Sequence, residues 1–508
     1  MSGAVENKDG FMPPPAGEFL GHPKALWNLF ASEFWERFMY YGMRAMLAVH
    51  IAAAFFAHLG DGARAEASLT YGGFTSLVYM TGIAGGFVAD RILGYQRSIM
   101  LGGALMAVGS FMLMAPDLTT FVIGLAVIVV GNGLFKPNIS TMVGKLYAPG
   151  DVRRDSGFTI FYIGVNLGAF LATTVVAEVG SRYGYDKGFL LAGIGMVLGS
   201  IIFVFGQKHY EGQGLPPNPD TLHKPLVGPL SRLHLTILGT LAAVPVFYLL
   251  LTNTDVVGYL LAATAIFVIY NLLSAGFSGG NVLRDRMIVL ILLMFFNIVF
   301  WACFEQAGSS LTLFADRNID RNVMGTEIGA ATTQFFNPFF ILIFGTIFSV
   351  MWVWLSRIGK NPNIPMKFGL GIVQLGLGYL VIYVGLPFVS PDFKMPLITL
   401  ALLYMLHTTG ELFISPIGLS MVTKLAPANM TGTVMGAWFL SIAGANYVAA
   451  LIAKLTGGEH GGSEPATASD SFNTYVDIYT QMGLITVGIG LVLVLLSKPL
   501  NKLMHGVK

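Results

Sequence analysis

The chain has 508 residues, of which 54% are hydrophobic and only 11% charged, against roughly 25% charged in a soluble domain. That composition excludes a soluble globular protein and predicts an all-α polytopic membrane protein. The net charge of +2 singles out no partner, and no nucleic acid is expected. The single cysteine, Cys303, cannot form an intramolecular disulfide and is expected as a small buried hydrophobe.

Apolar runs of about 20 residues, enough to cross a bilayer, fall near 25–56, 71–90, 98–115, 118–145, 155–178, 187–206, 231–252, 256–278, 287–314, 332–356, 366–387, 395–423, 430–455 and 475–497. They predict about 14 transmembrane helices. With the N-terminus inside, about 19 Lys and Arg fall on its side of the membrane and about 7 on the other. Only Arg37, Arg44 and Lys136 lie within spans, so both termini are expected in the cytoplasm. The first 23 residues are polar and Pro-rich, without the apolar stretch of a cleavable signal peptide, so insertion is expected to rest on the helices themselves.

The first span carries the heaviest polar load. At 100° per residue Glu33, Arg37, Tyr40 and Arg44 fall within about 60° of one another, with Glu36 and Tyr41 close by. Each charge near a bilayer centre costs about 2.5 to 3.5 kcal/mol, on the order of 10 kcal/mol for four before pairing. Such a stripe has to face partners or water. The second span ends in Gly85-Gly86-Phe87-Val88-Ala89-Asp90-Arg91-Ile92-Leu93-Gly94-Tyr95-Gln96-Arg97. This loop is similar to the one between the second and third helices of the major facilitator superfamily. There the acid and base exchange partners as two halves rock, which makes Asp90 and Arg91 gating candidates.

The fourth span holds Asn132-Gly133-Leu134-Phe135-Lys136-Pro137-Asn138. Pro137 frees a backbone carbonyl, and Lys136 lies too far from either end to snorkel, so its ammonium is expected to face inward. The fifth span contains Phe161-Tyr162-Ile163-Gly164-Val165-Asn166-Leu167-Gly168-Ala169, whose glycines allow close helix packing and whose Asn166 needs a partner. A polar, Pro-rich stretch follows the sixth span. The two spans after it carry no ionisable residue at mid-depth and read as a structural hairpin, before Arg284-Asp285-Arg286 opens a second set of six. The expected organisation is a cytoplasmic tail (1–23), a six-helix bundle (24–206), a linker (207–230), an extra helical hairpin (231–280), a second six-helix bundle (281–498) and a short cytoplasmic tail (499–508).

In the second set, Trp301 stands one turn before Glu305, a carboxylate in mid-span, and the next span, the eighth when the two hairpin spans are left out of the count as they are from here on, carries Gln334-Phe335-Phe336-Asn337-Pro338. His407, Glu411 and Ser415 recur every four residues in the tenth span, hence on one face. Two possible ligands without a third are a weak metal signal, so no metal or cofactor is expected and His407 reads as a structural hydrogen-bonding group. Trp438 in the eleventh span is placed in a cavity with Trp301 rather than in an interfacial belt.

Glu33, Glu36, Glu305 and Glu411 thus stand against Arg37, Arg44 and Lys136 in spans of both halves. At depth they coexist only by pairing. Protonating one glutamate removes its charge and releases its cationic partner, which couples proton binding to a change of shape. The released cation can hold a substrate carboxylate while another glutamate holds an ammonium group. A mixed-sign cavity suits a zwitterion such as a short peptide better than a sugar or an inorganic anion. One proton moved down 100 mV supplies about 2.3 kcal/mol, on the order of fifty-fold accumulation of a neutral solute.

With these residues in place the chain resembles the proton-dependent oligopeptide transporters of the major facilitator superfamily, over nearly its whole length. The first-helix motif E-x-x-E-R-F-x-Y-Y-G is met in full by Glu33 through Gly42, and the fifth-helix motif F-Y-x-x-I-N-x-G is met except for Val165. The run Glu411-Leu412-Phe413-Ile414-Ser415-Pro416-Ile417-Gly418-Leu419-Ser420 is similar to the family's tenth helix. The resemblance implies two six-helix bundles plus an extra hairpin, and a proton-coupled importer of di- and tripeptides working by alternating access from the bacterial inner membrane, the alternatives being a related carrier of nitrate or a peptide-like compound, or a peptide sensor that does not transport. It implies proton coupling by Glu33, Glu36 and Arg37, with Glu305 protonating against Arg44. Arg44 and Lys136 would meet the peptide carboxylate and Glu411 the amino terminus, with Tyr40, Tyr41, Tyr79, Asn166, Trp301, Asn337, Ser415 and Trp438 lining the pocket. Its partners would be peptide, protons and the lipid bilayer, and it would work as a monomer. A membrane-embedded enzyme, with Glu305 and Glu411 as acid and base, lacks a nucleophile with an adjacent base. The second-helix histidine of animal relatives is missing from Tyr71 to Asp90, so glutamates would have to carry the protons here.

Overall fold

The structure, a computed structural model, describes residues 17–60, 62–148, 151, 153–426, 431–456 and 467–507. The first 16 residues of the expected tail and most of the loop after the eleventh span lie outside them. In chain order the helices are α1 (Lys24–Ala54), α2 (Gly62–Val88), α3 (Tyr95–Met112), α4 (Leu118–Lys145), α5 (Arg154–Leu171), α6 (Ala177–Tyr183), α7 (Tyr185–Gly206) and the single turn α8 (Pro219–Leu222). They continue as α9 (Arg232–Thr252), α10 (Thr254–Ser278), α11 (Asn281–Phe304), α12 (Ser310–Asn318), α13 (Phe336–Arg357), α14 (Ile364–Val384), α15 (Leu397–Leu425), α16 (Thr431–Leu455) and α17 (Ala468–Leu503).

Among the described residues 12 helical segments are long and apolar enough to cross a membrane. The other two spans of the expected 14 are α1, apolar but for its charged stripe, and α3, which opens on Tyr95-Gln96-Arg97-Ser98. Local chemistry sets several helix starts. Asp117 caps α4 by accepting the Thr120 N–H at 2.8 Å, a bond that holds its carboxyl below the usual range. Asn363 accepts the Met366 N–H at 2.9 Å to cap α14, and Thr467 with Asp470 forms a capping box on α17.

The chain forms two compact units. One takes in the described residues up to Met46 and Leu77–Thr252, the other Leu47–Ser76 and those from Asn253 on. In lipid no hydrophobic force draws helices together, so close van der Waals packing has to do it, and small residues permit the approach. Both units use glycines in the same way. In the first, α3 and α4 run against each other with Gly102 on the Gly131 carbonyl and Gly109 on the Gly124 carbonyl, a Cβ at either position coming within 2.6 and 2.7 Å of that oxygen. In the second, Gly369 and Gly376 of α14 meet Gly490 and Gly483 of α17. The two contacts on each helix are seven residues apart, so they fall on one stripe.

The hairpin helices have separate docking sites. α9 packs on α4 in the first unit, and α10 packs on α11 and α16 in the second. The stretch after α7 is anchored rather than trailing. Gln96 donates its side-chain amide to the Gln213 carbonyl at 2.6 Å and its backbone N–H to Gly214 at 3.0 Å. Gly94 adopts φ +74° with the Leu215 and Pro216 backbone 2.5 Å from where a Cβ would lie, so both conformation and space require glycine there.

Gly85 of α2 sits directly on the carbonyl of Gly133, the group freed by Pro137, whereas Gly86 faces open space. Gly85→Ala is expected to lower stability by about 1 to 3 kcal/mol through overpacking, while Gly86→Ala leaves it unchanged or raises it by about 0.5 to 1 kcal/mol. Thermal unfolding of the two variants in detergent makes the comparison.

Candidate functional site

In the first unit the polar stripe of α1 is buried and internally paired. Glu33, Glu36 and Arg37 are 3%, 0% and 1% exposed. The Arg37 Nε lies 2.8 Å from Glu33 Oε1 and 2.5 Å from Glu36 Oε2, so two carboxylates share one guanidinium. Asn132 of α4 donates to Glu36 Oε1 at 3.3 Å. Above this cluster the cations sit on aromatic faces. The Arg37 guanidinium carbon is 5.6 Å from the Tyr40 ring centre and 5.9 Å from that of Tyr41, and Arg44 is 6.0 Å from Tyr41.

Glycines bring the neighbouring helices onto this stripe. Gly168 of α5 leaves room for the Phe34 carbonyl and for Arg37 Cβ, 3.0 Å from a built Cβ, and Gly164 does the same for the Phe30 ring. On α7, Gly195 and Gly199 lie against Phe38 and Trp35. The fifth-span glycines therefore perform the packing expected of them. Asn166 finds its partner in its own helix, donating to the Tyr162 carbonyl at 2.9 Å.

Lys136 is half-buried on α4, its ammonium 4.9 Å from the centre of the Tyr79 ring. Tyr79, which spacing alone nominated, is thereby tied to a second candidate. Below it, Asn138 donates to the Leu134 and Gly85 carbonyls at 2.7 and 3.3 Å, bridging α4 to α2 around Pro137. At the end of α2, residues Ala89–Leu93 form a π-helical turn. Asp90 there accepts the Tyr95 hydroxyl at 2.5 Å, and Arg91 lies over the Phe87 ring at 5.9 Å.

In the second unit α11 ends at Phe304, and Glu305 opens a tight 3₁₀ turn, Glu305–Gly308, before α12. Glu305 is buried. A network of hydrogen bonds holds this break. Tyr379 donates to the Cys303 carbonyl at 2.6 Å, and Gln306 donates to the Ala302 and Ala449 carbonyls at 3.0 and 2.9 Å. Ser310 donates to Gln306 Oε1 at 2.6 Å and accepts the Tyr479 hydroxyl at 2.9 Å. Cys303 is buried against Thr486 as a small side chain. His407 packs on Tyr379, ring centres 4.6 Å apart, inside this aromatic core.

Asn337 of α13 donates its amide to Glu411 Oε2 at 3.0 Å and to Thr408 Oγ1 at 3.1 Å, joining two candidates across helices. Trp438 is buried beside Phe368 and covers Gly418, while Trp301 packs on Phe300 and Phe304. Ser415 is half-buried one turn beyond Glu411 on the same face. Four residues that pattern reading did not single out support these groups: Asn132 at Glu36, Thr408 at Asn337, and Gln306 and Tyr379 beside Glu305. Asn132 and Gln306 were visible as uncharged polar residues inside apolar runs. Among the described residues no three His, Cys, Asp or Glu side chains gather as a metal site.

Removing Arg37 leaves two buried carboxylates uncompensated. Arg37→Met is expected to lose about 3 to 5 kcal/mol of stability, read as loss of monodisperse protein in detergent, and adding Glu33→Gln with Glu36→Gln is expected to recover most of it.

The same architecture recurs in known proteins. A sequence model of the POT family matches residues 96–461. The chain is 34% identical to the transporter YclF of Bacillus subtilis, over 99% of each chain, and 32% identical to the dipeptide and tripeptide permease A of Salmonella typhimurium, over 95% of this chain and 93% of that one. A crystal structure of a mutant POT peptide transporter in complex with alafosfalin superposes with a TM-score of 0.81 at 35% identity, covering 97% of this chain and 98% of that one. The fold is that of the major facilitator superfamily, and these relatives are transporters rather than enzymes. By family model, by full-length identity and by fold, the chain belongs to the POT family.

Proposed function

We propose that the chain is a proton-coupled symporter of di- and tripeptides that works by alternating access. The observation that carries this reading is the Glu33–Arg37–Glu36 cluster: two carboxylates buried around one guanidinium leave an unbalanced negative charge that a single proton neutralises. The name of the Salmonella permease supports the substrate class.

In this reading Glu33, Glu36, Arg37 and Glu305 couple protons to the cycle. Arg44 and Lys136 receive the peptide carboxylate, each already resting on a tyrosine face from which a stronger anion can draw it. Glu411, oriented by Asn337, receives the peptide amino group. Tyr40, Tyr41, Tyr79, Asn166, Trp301, Ser415 and Trp438 complete the pocket, and Asp90 with Arg91 serves the cytoplasmic gate. Helices within 24–206 and 281–498 form the two six-helix bundles, with 231–280 as an added hairpin and 207–230 as the linker. The excess of Lys and Arg on one side supports cytoplasmic termini in a bacterial inner membrane, and the protein acts as a monomer with protons as its coupling ion and no other cofactor.

Purified protein in liposomes is expected to accumulate a labelled dipeptide when the lumen is made alkaline or negative, with uptake abolished by a protonophore; uptake that ignores the protonophore removes the proton claim. Dialanine is expected to compete and free alanine not, whereas competition by nitrate alone points to a different cargo. Glu305→Gln is expected to lose gradient-driven uptake while keeping counterflow exchange of peptide, and equal loss of both would take Glu305 out of the coupling role.

A further inference from the structure

The second unit holds a groove of about 540 Å³ between α10, α11 and α16, none of whose lining residues is a candidate described above. Small residues hollow it out, among them Ala262 and Ala265 on α10 and Ala437 and Gly444 on α16. Gly444 has no atom within 4 Å of where a Cβ would lie, so the hollow at the middle of α16 is empty space rather than a tight contact. Ser441, the polar residue on the wall, is already engaged: its hydroxyl donates to the Trp438 carbonyl at 2.7 Å and accepts from Asn297 at 2.9 Å. A polar ligand therefore finds little to bind along the groove.

Its dimensions select among apolar occupants. From Ala437 to Leu451 the wall runs about 21 Å at 1.5 Å per residue, and a helix of that length and about 10 Å diameter occupies on the order of 1,600 Å³. The whole empty space of the groove, about 1,250 Å³ with its open side included, falls short of that, so a partner helix does not seat fully within it whereas one extended hydrocarbon chain does. Its length exceeds the roughly 15 Å of hydrocarbon in a single leaflet, so a full acyl chain lies within it.

One end of the groove carries the polar groups. Tyr447 of α16 places its hydroxyl over Gly258 of α10, and Asp255 and Tyr259 stand in the same first turns of α10, within one turn of Gly258. Tyr259 is exposed, as in an interfacial aromatic belt. Lys454 is exposed on the face of α16 that carries Tyr447 and Leu451, about one turn further on. An acid and a base thus flank the mouth, which complements a headgroup bearing both charges better than a purely anionic one.

We propose that this groove is a lipid site that holds one acyl chain of a zwitterionic, amine-bearing phospholipid, in the leaflet containing the turn between α9 and α10. The headgroup ammonium lies at Asp255 and its phosphate toward Lys454.

Native mass spectrometry of the protein, extracted from bilayers of equal phosphatidylethanolamine and phosphatidylglycerol, tests it. The wild type is expected to retain a phosphatidylethanolamine molecule in preference to phosphatidylglycerol. Gly444→Phe, whose Cβ meets no atom within 4 Å and whose ring fills the hollow, is expected to reduce that retention several-fold at unchanged thermal stability. Asp255→Asn combined with Lys454→Gln is expected to erase the headgroup preference. Undiminished retention in Gly444→Phe, or no preference in the wild type, overturns the proposal. Should Gly444→Phe fold poorly, a phosphatidylethanolamine with a photoreactive acyl chain is expected to label α10 and α16 of the wild type well above the lipid-facing helix α13, and even labelling overturns it.

Discussion

The guanidinium of Arg37, shared by Glu33 and Glu36 inside an apolar helix, is the constraint to which the surrounding segments are fitted. An ion cluster in a bilayer is tolerable only if nothing lets lipid reach it. The walls that keep lipid away are backbone rather than bulk. Gly164 and Gly168 bring α5 onto α1, Gly195 and Gly199 bring α7, and Asn132 reaches from α4 to Glu36. The charges of α1 and the glycines of its neighbours are therefore two halves of one arrangement, and neither makes physical sense without the other.

The two units solve the problem of placing a carboxylate differently. On α1 the acids lie in a continuous helix and are held by an ion pair. Glu305 sits where α-helical geometry stops, in a turn whose backbone is held by a tyrosine on the Cys303 carbonyl and a glutamine bridging to α16. Glu411 accepts the side-chain amide of Asn337.

Much of this was legible in the residues. The α1 stripe announces itself because charges at helical spacing in an apolar run have one physical resolution, and Lys136 stands out for the same reason. The fifth-span glycines were readable as packing residues, though not which helix they meet. What pattern reading misses is contact between distant segments. Nothing local indicates that Gly85 rests on the Gly133 carbonyl, that Tyr79 underlies Lys136, or that Asn132 serves Glu36. The break after Phe304 is hidden for the same reason, since no proline marks it and the groups that maintain it come from α14, α16 and α17.

That break has a mechanical meaning. Four residues from Glu305 to Gly308 are wound more tightly than their surroundings. A 3₁₀ turn rises about 2.0 Å and rotates about 120° per residue, an α-helix about 1.5 Å and 100°. Relaxing the four to α-helix shortens the segment by about 2 Å and twists α12 against α11 by about 80°. The chain thus stores, at the very residue bearing a buried acid, a small screw thread whose winding sets both the reach and the bearing of that side chain.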